Sequence, residues 1–422
     1  MSKSPVLFLC HRIPFPPNKG DKITTFNLLK FLAKHYDVHL GFFLDDPFDK
    51  QYVPALDEYC QSKFYIDICD RKQSISGLKA LASNDAITIE HYKEPAFQKW
   101  VEETVAEQGI QALFVYSSGM AQFVQSYVHD DRYVKVLDMA DIDSDKWRQY
   151  AENKPWFTRW IYAREQRKLA TYEQQVLSDF NAVTLISDEE AKLFREMSPA
   201  PLRHKIHTLS NGVDTDYFCP AAEFDLTDLP QLAPQSICFT GAMDYWANVD
   251  AVVWFCENVW PSIISQHPEC KFYIVGGNPT AKVLKLANLN GVVVTGRVPD
   301  VRPYIDASVA AVAPMRIARG IQNKVLEAMA MAKPVVMTTM GQEGIEMPSV
   351  QQPLVLDDAD AFGEAVNQLL NQLNSPLPEP LSKQETLDYS ENRTWIVDRY
   401  GWDGALRTLP SMLAAEDIKD NL

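Results

Sequence analysis

The sequence predicts an α/β protein made of two successive doubly wound parallel sheets, and three observations carry that expectation. Short apolar runs alternate with helical patterns from start to finish. The 422 residues exceed what one hydrophobic core usually serves. Between two stretches of the same grammar lies CPAAEFDLTDLPQLAPQS (219–236), rich in Pro and Asp and without a sustained period.

In the first half, strands are expected at PVLFLC, DVHLGFF, KFYID, ALFVY, KVLDM and AVTLIS, with helices such as Thr24–Tyr36 and Pro95–Gln108 between them. Strands apolar on both faces and separated by helices belong to a parallel sheet covered on both sides. SICFTG, KFYIVGG, GVVVTG, VAAVAP, PVVMT and PLVLD repeat the pattern. The expected division is a first domain over 1–218, a linker over 219–236 and a second domain over 237–385. A helical segment over 386–422, aromatic from about Trp395 to Leu413, is expected to pack back on the first domain. Ligands of such sheets sit beyond the carboxyl ends of the strands, and a cleft between two such domains is the natural site.

Composition narrows the classes. The 40 Lys+Arg against 56 Asp+Glu give a formal charge of -16, which disfavours a nucleic-acid partner. The seven cysteines are scattered without a C-x-x-C pair, so reduced thiols are expected rather than a disulfide framework or a zinc site. No apolar run approaches the ~20 residues that span a bilayer. The opening MSKSPVLFLCHRIPF reads as a buried first strand, ended by His11-Arg12, rather than a signal peptide. A cytoplasmic location follows as the expectation.

The strongest local signal is VAAVAPMRIARGIQNKVLEAMAMAKPVV. A buried strand ends at Pro314, a loop follows, and a helix is expected from Gln322–Asn323. Gly320 leaves the backbone uncovered at the helix mouth, where a diphosphate could meet free N–H groups. Arg316, Arg319 and Lys324 surround that mouth with positive charge. Glu327 lies one turn inside, on the same face as Asn323 and Lys324 by the three-to-four residue spacing. From periodicity alone, a buried amphipathic helix with Glu327 solvated or paired to Lys324 is an equal reading.

This segment resembles the donor-site signature of the retaining glycosyltransferase family 4, whose GT-B fold has two Rossmann-like domains facing across a cleft. The resemblance implies that Glu327, in EAMAMAKPVV, binds the ribose of a nucleotide-sugar donor. The family usually carries another Glu eight positions earlier, where this chain has Arg319, so the contact to the sugar ring is left open. Ser210-Asn211-Gly212-Val213-Asp214, a pattern suited to a left-handed turn, resembles the family's passage between domains. FTGAMDYWANVDAVVWF resembles the first strand, glycine turn and helix of the donor domain, which implies Gly241 near the phosphates; Asn248 is a candidate N-cap. Where many members carry cations in that stretch, this chain has Asp244, Tyr245 and Trp246, which passes the cation role to Arg316, Arg319 or Lys324. GVVVTGRVPDVRPYI implies Arg297 and Val298 near the base, with Gly276-Gly277 on the floor of the site.

On the other side, HRIPFPPNKGDKITTFNLLKFL joins the first strand to the first helix. Asp21 can cap that helix and Gly20 permits close backbone approach; Arg12, Lys19 and Lys22 add positive charge. KVLDMADIDSDKWRQYA packs Asp138, Asp141, Asp143 and Asp145 into one loop; in the family it resembles, a His or Asp of the corresponding loop lies beside the reacting sugar, which implies Asp141 and then Asp138 for that place. The loop lacks the glycine and terminal Glu of an EF-hand, so no metal is expected, and no cofactor beyond the nucleotide-sugar substrate. The wider pattern is closest to the sugar transferases of PEP-CTERM/exosortase exopolysaccharide systems. That implies a bacterial retaining hexosyl transfer from an NDP-sugar to a glycan or polyprenyl-linked acceptor.

KPWFTRWIYAREQRKLATYEQQV interleaves aromatic and basic residues. Such a helix can lie on the inner, anionic face of a membrane, or its aromatics can be core. Two further readings stay open: a GT-B epimerase, and a non-catalytic GT-B partner subunit.

Overall fold

The computed structural model describes residues 3–17, 19–69, 85–152, 156–220, 232–317, 321–347, 354–374 and 390–414. The chain divides into two compact units, Met1–Asn211 with Ala405–Leu422, and Gly212–Gly404.

The first unit holds a seven-stranded parallel sheet in the order β3-β2-β1-β4-β5-β6-β7. The strands are β1 (Ser4–Cys10), β2 (Tyr36–Leu44), β3 (Ser62–Asp67), β4 (Ala112–Tyr116), β5 (Val134–Ala140), β6 (Ala182–Leu185) and β7 (Ile206–Thr208). Helices α1 (Gly20–His35), α2 (Asp143–Glu152) and α3 (Trp156–Asp179) follow β1 and β5. The second unit holds a six-stranded sheet in the order β10-β9-β8-β11-β12-β13. Its strands are β8 (Ser236–Thr240), β9 (Lys271–Val275), β10 (Val292–Gly296), β11 (Ala310–Ala313), β12 (Val335–Met337) and β13 (Leu354–Val355). Helices α4 (Trp246–Asn258) and α5 (Asn323–Ala330) follow β8 and β11, and α6 (Ser390–Tyr400) and α7 (Leu409–Leu413) close the chain.

All twelve expected apolar runs are strands. The sequence reading missed β7, whose Ile206-His207-Thr208 offers only one apolar residue. In both units the strand order reverses beside the first strand, between β1 and β4 and between β8 and β11. At such a switch point two crossovers leave in opposite directions and open a crevice at the carboxyl ends.

Both sheets are covered on two faces, which is why their central strands are mostly apolar. In the first unit Phe43 stacks on Phe97 with ring centroids 4.8 Å apart. In the second, Phe255, Trp260 and Phe272 are buried together in one core cluster. Burying each such ring contributes roughly 2–3 kcal/mol. On the opposite face Val325, Leu326 and Met329 of α5 pack with Ile396 of α6.

Several local expectations are corrected. Asp21 does not cap α1: Lys19 occupies the N-cap and no side chain bonds there. Lys22 adds no charge to the loop, because it is fully buried and its Nζ lies 2.5 Å from Asp49 Oδ2. Neither Asn211 nor Gly212 is left-handed. Asn211 Oδ1 instead accepts a 2.9 Å hydrogen bond from Thr24 Oγ1. Gly212 is needed for space, since a Cβ there would fall 2.7 Å from the backbone of Trp402. The C-terminal segment is shared: α6 belongs to the second unit, where Arg393 donates to the carbonyls of Ala330 and Thr215. From Ala405 the chain belongs to the first unit.

Candidate functional site

In the second unit a cavity of about 490 Å³ opens at the carboxyl ends of β8, β9 and β10. Gly241 and Ala242, Gly276 to Asn278, Arg297, Val301 and the α5 residues Asn323, Lys324 and Glu327 line it. Two glycines make the floor. Gly241 N–H donates to the Val275 carbonyl at 3.0 Å and Met243 N–H to Gly277 at 2.9 Å, locking the turns after β8 and β9 together.

Helix α5 starts at Asn323 with Gln322 as N-cap, at its expected position. Its apolar face (Val325, Leu326, Ala328, Met329) is buried, which turns Lys324 and Glu327 toward the cavity. The low-polarity surroundings raise the Glu327 carboxyl to about 7, partly opposed by the charge of Lys324. The same desolvation lowers the Lys324 ammonium to about 8, partly opposed by Glu327. The Lys324 Nζ donates to Asn248 Oδ1 at 3.1 Å and to Gln322 Oε1 at 3.2 Å, and lies 5.1 Å from the centre of the Phe239 ring. The Glu327 carboxyl and the Lys324 ammonium thus share one wall, a pairing suited to a diol and an anion.

Asn248 is not the N-cap of α4; Tyr245 is. Buried in the first turn, Asn248 instead donates from Nδ2 to the Ala242 carbonyl at 2.9 Å. Arg316 stands outside the cavity lining. Its guanidinium is held by Asp250 of α4, with Nε 3.0 Å from Oδ2 and Nη2 2.5 Å from Oδ1. Among the described residues, the cations lining the cavity are Lys324 and Arg297. Val298 packs against the apolar cluster beneath, and Val301 lines the cavity instead. Arg319 and Gly320 lie outside the described residues.

In the first unit a polar cluster gathers at the ends of β1, β2, β4 and β5. Arg12 Nη1 lies 2.5 Å from Asp21 Oδ2 and its Nε 2.7 Å from Asp45 Oδ2. His11 Nε2 is 3.4 Å from Asp21 Oδ2, and its ring stacks on Tyr116 at 5.7 Å. Burial opposes ionisation of Asp21, yet the His11 hydrogen bond and the Arg12 charge hold its carboxyl well below the usual range. Burial pushes Tyr92, edge-on to His11, up to about 12. His11 Nδ1 and Asp45 Oδ1 are buried without a hydrogen-bond partner among the described residues. A Cβ on Gly20 would meet nothing within 4 Å, so that position faces open space.

The aspartate loop divides its members. Asp138 is buried, its carboxyl raised to about 7 by desolvation, and it accepts from Ala140 N–H at 2.9 Å where the chain turns with φ 60°. Asp141 pairs with Lys146 at 2.7 Å. Asp143 accepts from Ser118 Oγ at 2.6 Å, and its charge acts on Tyr92. Sequence reasoning passed over His11, Asp45 and Tyr92 as site residues; the signal available was that His11 and Asp45 each follow a predicted strand end.

Among the described residues no group of three or more His, Cys, Asp or Glu side chains could hold a metal ion, and no helix is long and apolar enough to cross a membrane.

The two parallel sheets are those of the GT-B fold, and the second opens a cavity at its switch point. Residues 234–372 match the family described as Glycosyl transferases group 1. Sucrose-phosphate synthase from Thermosynechococcus elongatus shares the fold, with a TM-score of 0.58 at 16% identity over 98% of each chain. A glycosyltransferase from Rickettsia africae gives a TM-score of 0.59 at 14% identity, over 99% of this chain and 100% of that one. Anabaena HepE, solved with UDP and glucose, gives 0.58 at 14% identity, over 98% and 100%. An uncharacterised 44.6 kDa protein from the cps region of Klebsiella pneumoniae is 20% identical over 370 residues, 84% of this chain and 87% of that protein. Together these findings support a glycosyltransferase.

Proposed function

We propose that the protein is a retaining glycosyltransferase that moves a hexosyl group from an NDP-sugar to a glycan or polyprenyl-linked hydroxyl in bacterial exopolysaccharide assembly, of the PEP-CTERM/exosortase-associated kind. The observation that carries the proposal is the wall formed by Glu327 and Lys324 beside the Gly241 and Gly276 turns, inside the domain that matches glycosyl transferases group 1. In its ionised form Glu327 accepts hydrogen bonds from the ribose diol, and Arg297 and Val301 flank the base. Lys324 and the glycine turns stabilise the departing diphosphate. Such a reaction needs charge stabilisation and alignment more than a strong base. The cps-region relative and the UDP-bound neighbour make a UDP-sugar and a polysaccharide acceptor the first combination to try.

A peripheral site on the inner membrane face is part of the proposal. Tyr150 and Trp160 are each 54% exposed at the α2–α3 hairpin, beside the exposed Arg159.

The experiment is a thermal-shift screen against UDP-, GDP-, ADP- and TDP-sugars, followed by product analysis with and without acceptor. A true donor stabilises the fold by linkage, and Glu327→Ala abolishes that stabilisation. Failure of every nucleotide to stabilise the protein, or full transfer by Glu327→Ala, sinks the reading. Isomerised nucleotide-sugar without transfer would select the epimerase instead.

A further inference from the structure

We infer that Asn248 is a positioning residue for the diphosphate: anchored on the Gly241–Ala242 turn, its side-chain amide holds the Lys324 ammonium at that turn. The inference rests on the nucleotide reading of the cavity.

Asn248 is 5% exposed. Its Nδ2 donates to the Ala242 carbonyl at 2.9 Å, which orients the amide so that Oδ1 accepts from Lys324 Nζ at 3.1 Å. Gly241 makes room for this arrangement, since a Cβ there would fall 2.7 Å from Asn248 Nδ2. An ammonium from α5 is thereby seated on the turn after β8, although the two residues are 76 positions apart. A lysine has a flexible stem and a charge without direction. Without Oδ1 its remaining hydrogen-bond partner among the described residues is Gln322, on its own segment.

The residue type matters as much as the distance. A carboxylate at 248 would neutralise the ammonium, whereas a neutral amide orients it and leaves its charge free for an incoming phosphate. The other charged groups around the ammonium are Glu327 and Arg297 in the lining. On the neighbouring turn, Asp244 accepts from Asn278 Nδ2 at 3.1 Å.

The test uses the full chain with Asn248→Leu and Asn248→Asp, each checked by circular dichroism and thermal melting. UDP and uridine binding are measured by calorimetry. The Lys324 Nζ titration is followed by NMR on ¹³C-lysine protein, assigned through Lys324→Arg. Both variants are expected to weaken UDP about tenfold, the scale of one charge-assisted contact, with uridine unchanged. Lys324 is expected to titrate at lower pH in Asn248→Leu, which loses an acceptor, and at higher pH in Asn248→Asp. If wild type binds UDP and the folded variants match it in UDP affinity and in Lys324 titration, the inference falls alone. If wild type binds none of UDP, GDP, ADP or TDP, the nucleotide reading falls and takes the diphosphate assignment with it.

Discussion

A Cβ on Gly276 would stand 1.7 Å from the carbonyl oxygen of Gly241, so the turns after β9 and β8 are in contact across a position that only glycine can fill. Gly276→Ala must push the two turns apart. The expected cost is about 2–3 kcal/mol of stability, read from the urea midpoint. Nucleotide binding should be lost even under conditions where the variant remains folded, because the cavity floor itself moves. Unchanged affinity by calorimetry would contradict the placement of that floor.

The opposed shifts of Glu327, up to about 7, and Lys324, down to about 8, set a pH window for binding. A ribose diol needs the carboxylate, and a diphosphate needs the ammonium. UDP affinity should therefore rise as pH passes about 7 and fall above about 8. Glu327→Gln should remove the acid limb and Lys324→Gln the alkaline limb. The ionisation of UDP itself is common to all three proteins and cancels in the comparison. For the ligand-free fold the signs are the reverse of a salt bridge. A raised carboxyl binds its proton more tightly folded than unfolded, so stability falls as pH climbs from the usual carboxylate range to about 7.

Asp21 behaves in the opposite sense. Its carboxyl is held low by His11 and Arg12, so its contribution is present above the usual carboxylate pKa and is lost as pH drops below it. Asp21→Asn should cost about 1 kcal/mol at pH 7, a figure already reduced for solvent screening. The gap between variant and wild type should be narrower at pH 3 than at pH 7 and close only at still lower pH. Urea melts at both pH values decide it.

Lys22 and Asp49 form a buried ion pair at 1% and 3% side-chain exposure. Lys22→Met strands a buried carboxylate and should cost about 3–5 kcal/mol, whereas the double change to Met and Leu should recover most of it. A double change as unstable as the single one would show that the pair is not the cause.

If the α2–α3 hairpin meets an anionic surface, flotation with phosphatidylglycerol vesicles should carry the protein upward, and Trp160→Ala should reduce that fraction severalfold. Equal flotation of the two would move the contact elsewhere or dismiss it.

The sequence by itself determined the two parallel sheets, the approximate strand positions, the helix start beside Asn323 and the turn that brings Lys324 and Glu327 to one face. These are properties of spacing: apolar runs of strand length and three-to-four residue helical neighbours are local and survive any packing. Only the tertiary structure decided which polar groups meet. It gave Arg316 to Asp250 and Lys22 to Asp49, and it set Asn248 under Lys324 from 76 residues away. It also gathered His11, Asp21 and Asp45 around Arg12. Strand order brings such partners together at the carboxyl ends of a sheet, and burial then fixes their charge. Neither distance nor dielectric is written in the spacing of residues along a chain.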